Sequence, residues 1–317
     1  MKILLCGFGS IGRRHFANAR AMVGNASWTV VEPMREAWVS EPDVTFVPDL
    51  AGVSGNFDVA FVCSPTALHG DQLVTLAGRA AAFFIEKPLA HDRSSLAAIR
   101  AAFDGRRAPT MVGCNYRFEP GLQRVAELLQ SSTIGRIVSV RAEFGQWLPS
   151  WRPKADYRLG YAAKRETGGG VILDRIHELD YVTWLFGAPT RVEAMSGKLS
   201  QLEIETEDTA ELLLRFPSGT IGSVHVDYIR REYLCRLEVT GDRGSIEWRF
   251  RPTSVRILRE SGSWESAFED PMPDVNAMYV AELRYFFDML ARGAKPMNDI
   301  AEAGATLEVA LTALEQR

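Results

Sequence analysis

Residues 2–12 read KILLCGFGSIG, an apolar run that gives way to glycines at 7, 9 and 12. A continuous apolar run of this length is the pattern of a strand buried on both faces. The G-x-G-x-x-G that follows opens directly onto an amphipathic segment near 10–22. In such a strand-to-helix turn Gly7 permits the tight bend, Gly9 lets the backbone approach a pyrophosphate, and Gly12 lets the helix pack closely on the strand. Glu32 stands at the end of the next apolar run, SWTVV (27–31), where a carboxylate accepts the hydroxyls of a ribose and repels a 2′-phosphate. The stretch predicts a dinucleotide site built from Gly7, Gly9, Ser10, Ile11, Gly12 and Glu32, with NAD favoured over NADP. Arg35 leaves two readings open: a swing toward a phosphate, or plain solvation at the start of a helix.

Outward from this turn the pattern repeats. Apolar runs at 44–47, 58–62, 82–86 and 110–114 alternate with helix-length segments near 67–78 and 92–103. Strands divided by helices specify a parallel sheet covered on both faces. Beyond about residue 119 the periodicity changes. Val138, Val140, Ala142 and Phe144 alternate with Ser139, Arg141 and Glu143, as in a strand with one wet face. Further strands are expected at 190–198, 209–216, 220–228, 233–240, 245–250 and 254–259, and helices near 275–292 and 298–316. The fold expected is α/β: an N-terminal Rossmann doubly wound parallel sheet over 1–119, then an α+β domain over 120–317 with a large, mostly antiparallel open sheet. The C-terminal helices are free to pack back on the first domain.

Composition bounds the chemistry. The 317 residues are 46% hydrophobic and 24% charged, enough for two domains with their own cores. A formal charge of −4 gives no positive field to collect phosphates, so no nucleic-acid partner is expected. Cys6, Cys63, Cys114 and Cys235 lie in apolar runs without a CxxC, and read as buried hydrophobes in a reducing compartment. The first apolar run is too short for a signal peptide, and no stretch approaches membrane-spanning length. A cytoplasmic protein with no membrane partner is expected. The five histidines form no metal-ligand spacing, so no metal is expected.

A second stretch carries chemistry. In GGGVILDRIHELDY (168–181), read as a helix, Ile172, Ile176, Leu179 and Phe186 share one stripe, and Asp174, His177, Tyr181 and Trp184 the opposite one. His177 thus stands between Asp174 and Asp180. A carboxylate beside an imidazole fixes its tautomer and raises its basicity, which is how a general base is made. A solvated surface face carrying an incidental histidine is the competing reading. The fifth strand of the first domain ends in Glu86-Lys87-Pro88, at the carboxyl edge where cofactors bind; the same edge carries Ser64, Pro65 and, just beyond, His69.

GFGSIG after the first strand, CSPTALH after the fourth, IEKP after the fifth, NYRF after the sixth, and GGGVILDRIHELD in the second domain together resemble the Gfo/Idh/MocA oxidoreductases. The resemblance covers nearly the whole chain in order. It implies a Rossmann domain followed by an α/β domain whose sheet often forms an oligomer interface, and a homodimer or homotetramer. It also implies sugar or cyclitol substrates and a catalytic set of Lys87, Asp174 and His177. Ser64, Pro65, His69, Glu86 and Lys87 would join the glycine turn around the cofactor, and Asn115 and Arg117 would meet substrate. The family's usual D-x-x-x-H is D-x-x-H here, so either Asp174 or Asp180 orients His177.

Oxidising a secondary alcohol needs a base for the hydroxyl proton while hydride leaves the same carbon. His177 is the expected base, and the Lys87 ammonium the group that stabilises charge on the reacting oxygen. From Trp151 to Gly170, Arg152, Lys154, Arg158, Lys164 and Arg165 outnumber Asp156 and Glu166, with Trp151, Tyr157 and Tyr161 interleaved. Aromatic faces stack on sugars and arginines pair with carboxylate or phosphate. Trp151, Arg152, Tyr157 and Arg158 are therefore expected to bind a sugar-like, anionic substrate; the bland alternative is an ordinary solvated loop. An NAD-dependent glycosidase with a transient redox step and a non-catalytic nucleotide-binding protein are the rival functions.

Overall fold

The structure is a computed structural model that describes residues 1–316, in two compact units. The first comprises Met1–Asn115 and Asn276–Gly304; the second comprises Tyr116–Val275 and the chain from Ala305 onward.

In the first unit the apolar runs become six strands: β1 (Lys2–Cys6), β2 (Ser27–Val31), β3 (Val44–Val47), β4 (Phe57–Val62), β5 (Ala80–Glu86) and β6 (Thr110–Gly113). All pair in parallel, in the order β3-β2-β1-β4-β5-β6. Parallel neighbours require crossovers, and helices α1 (Ser10–Val23), α2 (His69–Leu76) and α3 (Arg93–Phe103) supply them after β1, β4 and β5. Strand direction of travel across the sheet reverses between β1 and β4, the switch point at which such sheets bind ligands. Burial on both faces explains the unbroken apolar runs: Ile3, Leu4, Leu5, Phe83, Phe84 and Ile85 are fully buried. The chain returns to this unit after residue 275. Asn298 continues the ladder beyond β6, its carbonyl accepting from Val112 N–H and its side-chain amide donating to the Val112 carbonyl, both at 2.8 Å.

The second unit opens with helix α4 (Pro120–Gln130), capped by the Glu119 carboxylate accepting from Leu122 N–H at 2.7 Å. Its sheet has eight strands: β7 (Ile137–Gly145), β8 (Arg191–Gly197), β9 (Thr209–Arg215), β10 (Ile221–Asp227), β11 (Leu234–Gly241), β12 (Gly244–Arg249), β13 (Thr253–Arg259) and β14 (Trp264–Asp270). The order is β14-β13-β12-β11-β7-β10-β9-β8, and only β7 and β10 run parallel. β14 escapes sequence analysis because WESAFED has no apolar face; an edge strand paired only with β13 does not need one.

Between β7 and β8 the chain forms α5 (Val171–Asp174) and α6 (Ile176–Phe186), which lie with α4 on one face of the sheet. The sequence reads these as one helix. They are two, broken at Arg175, whose φ and ψ are −99° and 35°. The expected division into an apolar and a polar stripe also fails, since every residue from Ile176 to Val182 is buried. Helices α7 (Val275–Ala291) and α8 (Ile300–Glu315) end the chain. The four cysteines are buried and form no disulfide, and among the described residues no helix is long and apolar enough to cross a membrane.

Candidate active site

The glycine turn divides its three glycines between fold and ligand. A Cβ on Gly7, whose φ is +89°, would lie 2.7 Å from Ser64 Cα, and one on Gly12 would lie 2.1 Å from the Gly7 carbonyl oxygen. Both positions are required by packing. At Gly9 the space a side chain would fill is open, with nothing within 4 Å. Gly9 is also the N-cap of α1, and no side chain caps that helix. Unoccupied amide donors at the start of a 14-residue helix, beside open room, fit a dinucleotide pyrophosphate. Ser10 is exposed and Ile11 half-buried at the same helix start.

Glu32 is buried, and the turn itself holds it: Phe8 N–H donates to Oε2 at 2.8 Å and Met34 N–H to Oε1 at 3.0 Å. Each oxygen keeps a second lone pair for a ribose hydroxyl. Arg35 stacks over Trp38, its guanidinium carbon 5.7 Å from the ring centroid. On the neighbouring loop Ser64 is half-buried, donating its hydroxyl to Gln72 at 2.7 Å, and Pro65 is exposed. His69 sits differently from the expectation. It is fully buried, with its ring nitrogens 3.0 Å from the carbonyl oxygens of Ser64 and Pro88. Burial pushes its pKa down. An imidazole enclosed in this way ties the two loops together and offers no atom to a cofactor, so His69 supports the site from behind. Glu86 ends β5 in a buried position, and its Oε2 accepts from the backbone N–H of Lys87 at 3.2 Å.

In the second unit the glycine triplet serves packing. A Cβ on Gly169 would lie 2.2 Å from the Tyr161 carbonyl oxygen, and one on Gly170 2.3 Å from Glu207 Oε1. The triplet therefore seats α5 tightly under the preceding loop, with Ile172 N–H donating to Glu207 at 3.3 Å. Asp174 ends α5 and accepts from the Tyr228 hydroxyl at 3.1 Å. Burial, then the Asp174 charge, push the Tyr228 phenol well up and keep it a donor. His177, in the first turn of α6, is 7% exposed, with its ring 4.9 Å from that of Tyr116. The face left open by sequence between solvated surface and site is thus buried.

Asp180 does something the sequence does not show. Both of its oxygens accept from Arg117, from Nε at 2.9 Å and from Nη2 at 2.8 Å, in a pair almost wholly removed from water. Arg117 was expected to meet substrate; its buried guanidinium is instead committed to Asp180, because a cation inside a core needs a counter-charge. Asn115 is likewise buried. A second pair joins the half-buried Arg175, at the helix break, to the buried Glu178 at 2.7 Å, with the Arg175 guanidinium 3.5 Å from the Phe144 ring centre.

The basic segment is less basic in three dimensions than along the chain. Arg158 pairs with Asp156 at 2.7 Å and with Glu203 at 2.8 Å, and Arg165 donates to the Glu205 carbonyl at 2.9 Å. Lys164 lies 3.9 Å from Glu166. Arg152 and Lys154 are exposed and outside these pairs. Trp151 packs edge-on against Phe144 and Tyr228, and the Tyr157 hydroxyl accepts from Glu203 N–H at 3.3 Å. Tyr116, Tyr228 and Glu207 are the members of this region that sequence analysis missed. Tyr228 is 54 residues from Asp174, and nothing local marks the pair.

Comparison with known proteins agrees with this geometry. Residues 1–114 match the family model described as oxidoreductase family, NAD-binding Rossmann fold, and residues 122–247 match that of the GFO/IDH/MocA C-terminal domain. The inositol 2-dehydrogenase of Rhizobium meliloti (strain 1021) is 28% identical over 311 residues, spanning 92% of this chain and 89% of that protein. The myo-inositol 2-dehydrogenase of Thermotoga maritima is 27% identical over 315 residues, spanning 93% and 90%. Among solved structures, levoglucosan dehydrogenase in complex with NADH shares the fold with a TM-score of 0.84 at 19% identity, over 100% of this chain and 97% of that one. With both halves matched in order and a dinucleotide turn open at Gly9, the chain belongs to the Gfo/Idh/MocA family of NAD-binding oxidoreductases.

Proposed function

We propose that the protein oxidises a secondary alcohol of a sugar or cyclic polyol, or reduces the corresponding ketone, with NAD. The observation that carries this reading is the placement of His177. It is an imidazole held at 7% exposure against Tyr116, one short turn from Asp174, in a chain with a dinucleotide turn and a lysine following a buried carboxylate. The relatives named as inositol dehydrogenases, matched over nine-tenths of the chain, favour a cyclitol or sugar.

The glycine turn and the start of α1 hold the pyrophosphate, and Glu32 takes the adenosine ribose. Bound NAD supplies the hydride acceptor. His177 takes the hydroxyl proton, and the Lys87 ammonium donates to the oxygen on which charge develops. Asp174, held by the Tyr228 hydroxyl, orients the imidazole. Trp151 and Tyr157 offer ring faces to the substrate. If the substrate carries an anionic group, Arg152 and Lys154 meet it, since Arg158 and Arg165 are already paired.

The test is to follow absorbance of the reduced cofactor while inositols, aldoses, anhydrosugars and their acids are screened with NAD and NADP in parallel. Net NADH formation separates a dehydrogenase from a redox-neutral glycosidase. Lys87→Ala and His177→Ala each lower turnover by about two to four orders of magnitude, with little change in NAD affinity. Near-normal turnover in His177→Ala overturns the reading. The outer sheet face exposes Met195, Leu213 and Ile221, an apolar surface that a second copy would cover, so a homodimer or homotetramer is expected by light scattering at micromolar concentration.

A further inference from the structure

His15 has no part in the chemistry above, yet it is fully buried against the carboxylate that precedes Lys87. It lies on α1, three residues after Gly12, with 0% exposure. Its Nε2 is 2.5 Å from Glu86 Oε1. The other Glu86 oxygen accepts from the Lys87 backbone N–H at 3.2 Å. The ring is walled by Phe84, Tyr279 and Phe61, with centroids 4.9, 5.8 and 6.4 Å away. Its Nδ1 is buried and has no hydrogen-bond partner.

These contacts assign the tautomer. A proton on Nδ1 would be a donor sealed in an aromatic box with no acceptor, whereas a bare Nδ1 lone pair there leaves no donor unsatisfied. The proton therefore sits on Nε2, pointing at Glu86. Glu86 then accepts on both sides, from the cofactor helix and from the lysine's own backbone.

We infer that His15 is a positioning residue for Lys87: through Glu86, its Nε2–H clamps the backbone that carries the lysine to the helix that starts at the dinucleotide turn. This rests on the reading of Lys87 as the group that meets the reacting oxygen. Catalytic groups misplaced by about 1 Å lose about a hundredfold in rate, so a clamp of this kind acts on kcat and leaves binding largely unchanged.

Two measurements test it. In the full-length protein labelled with ¹⁵N-histidine, imidazole correlation spectra with and without NAD show one ring protonated on Nε2 and bare on Nδ1, and that signal vanishes in His15→Gln. An Nδ1–H tautomer or an imidazolium overturns the inference whatever the kinetics. In turnover assays His15→Met lowers kcat by about ten- to a hundredfold, with substrate KM and NAD Kd within about threefold. His15→Gln, whose amide N–H replaces the Nε2 donor, restores most of the loss. Equal losses in the two variants, or a loss in NAD Kd with kcat kept, overturn it by showing that only ring volume matters. Should His15→Met fail to fold, Glu86→Gln preserves size but puts an amide where one donor now binds, and it must show the same selective loss of kcat; wild-type kcat overturns the clamp. Lys87→Ala run alongside separates the two failures. If Lys87→Ala is active, the role of Lys87 falls; if it is inactive while His15→Met is not, only the role of His15 falls.

Discussion

Replacing Asp180 with Asn tests how the two carboxylates flanking His177 divide their work. Asp180 and Arg117 form a bidentate pair with side chains 2% and 4% exposed. Asparagine removes the charge that faces the buried Arg117 guanidinium and replaces one accepting oxygen with an amide donor. Breaking one side of such a pair costs about 3–5 kcal/mol. For a unit of this size each kcal/mol lowers the melting midpoint by about 2–4 °C, so a fall of roughly 6–20 °C is expected. Asp174 is only part-buried, and the Tyr228 hydroxyl donates to it at 3.1 Å, a bond that an asparagine oxygen still accepts. Asp174→Asn is therefore expected to lower the melting midpoint less than Asp180→Asn does. Turnover has the opposite ranking. With Asp174 as the proposed orienting group, Asp174→Asn loses about tenfold or more, whereas Asp180→Asn, assayed well below its midpoint, stays within about threefold. Thermal unfolding by circular dichroism and steady-state turnover on the same preparations decide the matter. A wild-type melting midpoint in Asp180→Asn with turnover abolished would refute the assignment and make Asp180 the orienting group.

Three further outcomes follow from the geometry. Exchanging Glu32 for Ser should narrow or reverse the preference for NAD, measured as the ratio of NAD to NADP dissociation constants; a wild-type protein that prefers NADP would sink the role given to this carboxylate. Gly9→Ala should keep its melting midpoint while NAD affinity falls about tenfold or more, because the methyl enters the open room. Gly12→Ala should lose about 1–3 kcal/mol of stability even without cofactor, because the methyl meets the Gly7 carbonyl oxygen; equal melting midpoints for the two variants would contradict this division. His225 lies 2.6 Å from Glu211 and 2.9 Å from Asp227, and the hydrogen bond to Asp227, opposed by burial and aided by Glu211, raises its pKa. A raised folded pKa contributes stability that is complete below the unfolded value near 6.5 and is lost as pH rises through the folded one. The melting advantage of wild type over His225→Gln should therefore be larger at about pH 6 than at about pH 9, and an advantage that grows with pH would be inconsistent with an imidazolium between two carboxylates.

Much of the architecture is legible in KILLCGFGSIG and its successors, because burial on two faces demands unbroken apolar runs and a strand-to-helix turn demands glycines at fixed offsets. Both are local constraints. The alternation over 137–144 is equally local, and it announces a one-sided sheet. The edge strand at 264–270 is silent because an edge places little demand on composition.

By itself, then, the sequence determined the two-part α/β plan, the dinucleotide turn with Glu32, and the set Lys87, Asp174 and His177 as the residues to examine. Only the tertiary structure decided what their neighbours do. It broke the helix at Arg175, gave Asp180 to Arg117, enclosed His69, and joined His15 to Glu86. It also met the charge of Arg158 with Glu203. The partners in three of these pairs stand 63, 71 and 45 residues apart along the chain. A charge or a ring nitrogen has no assigned role until folding sets its burial and supplies its partner, and separations of that size carry no periodic signal from which either can be read.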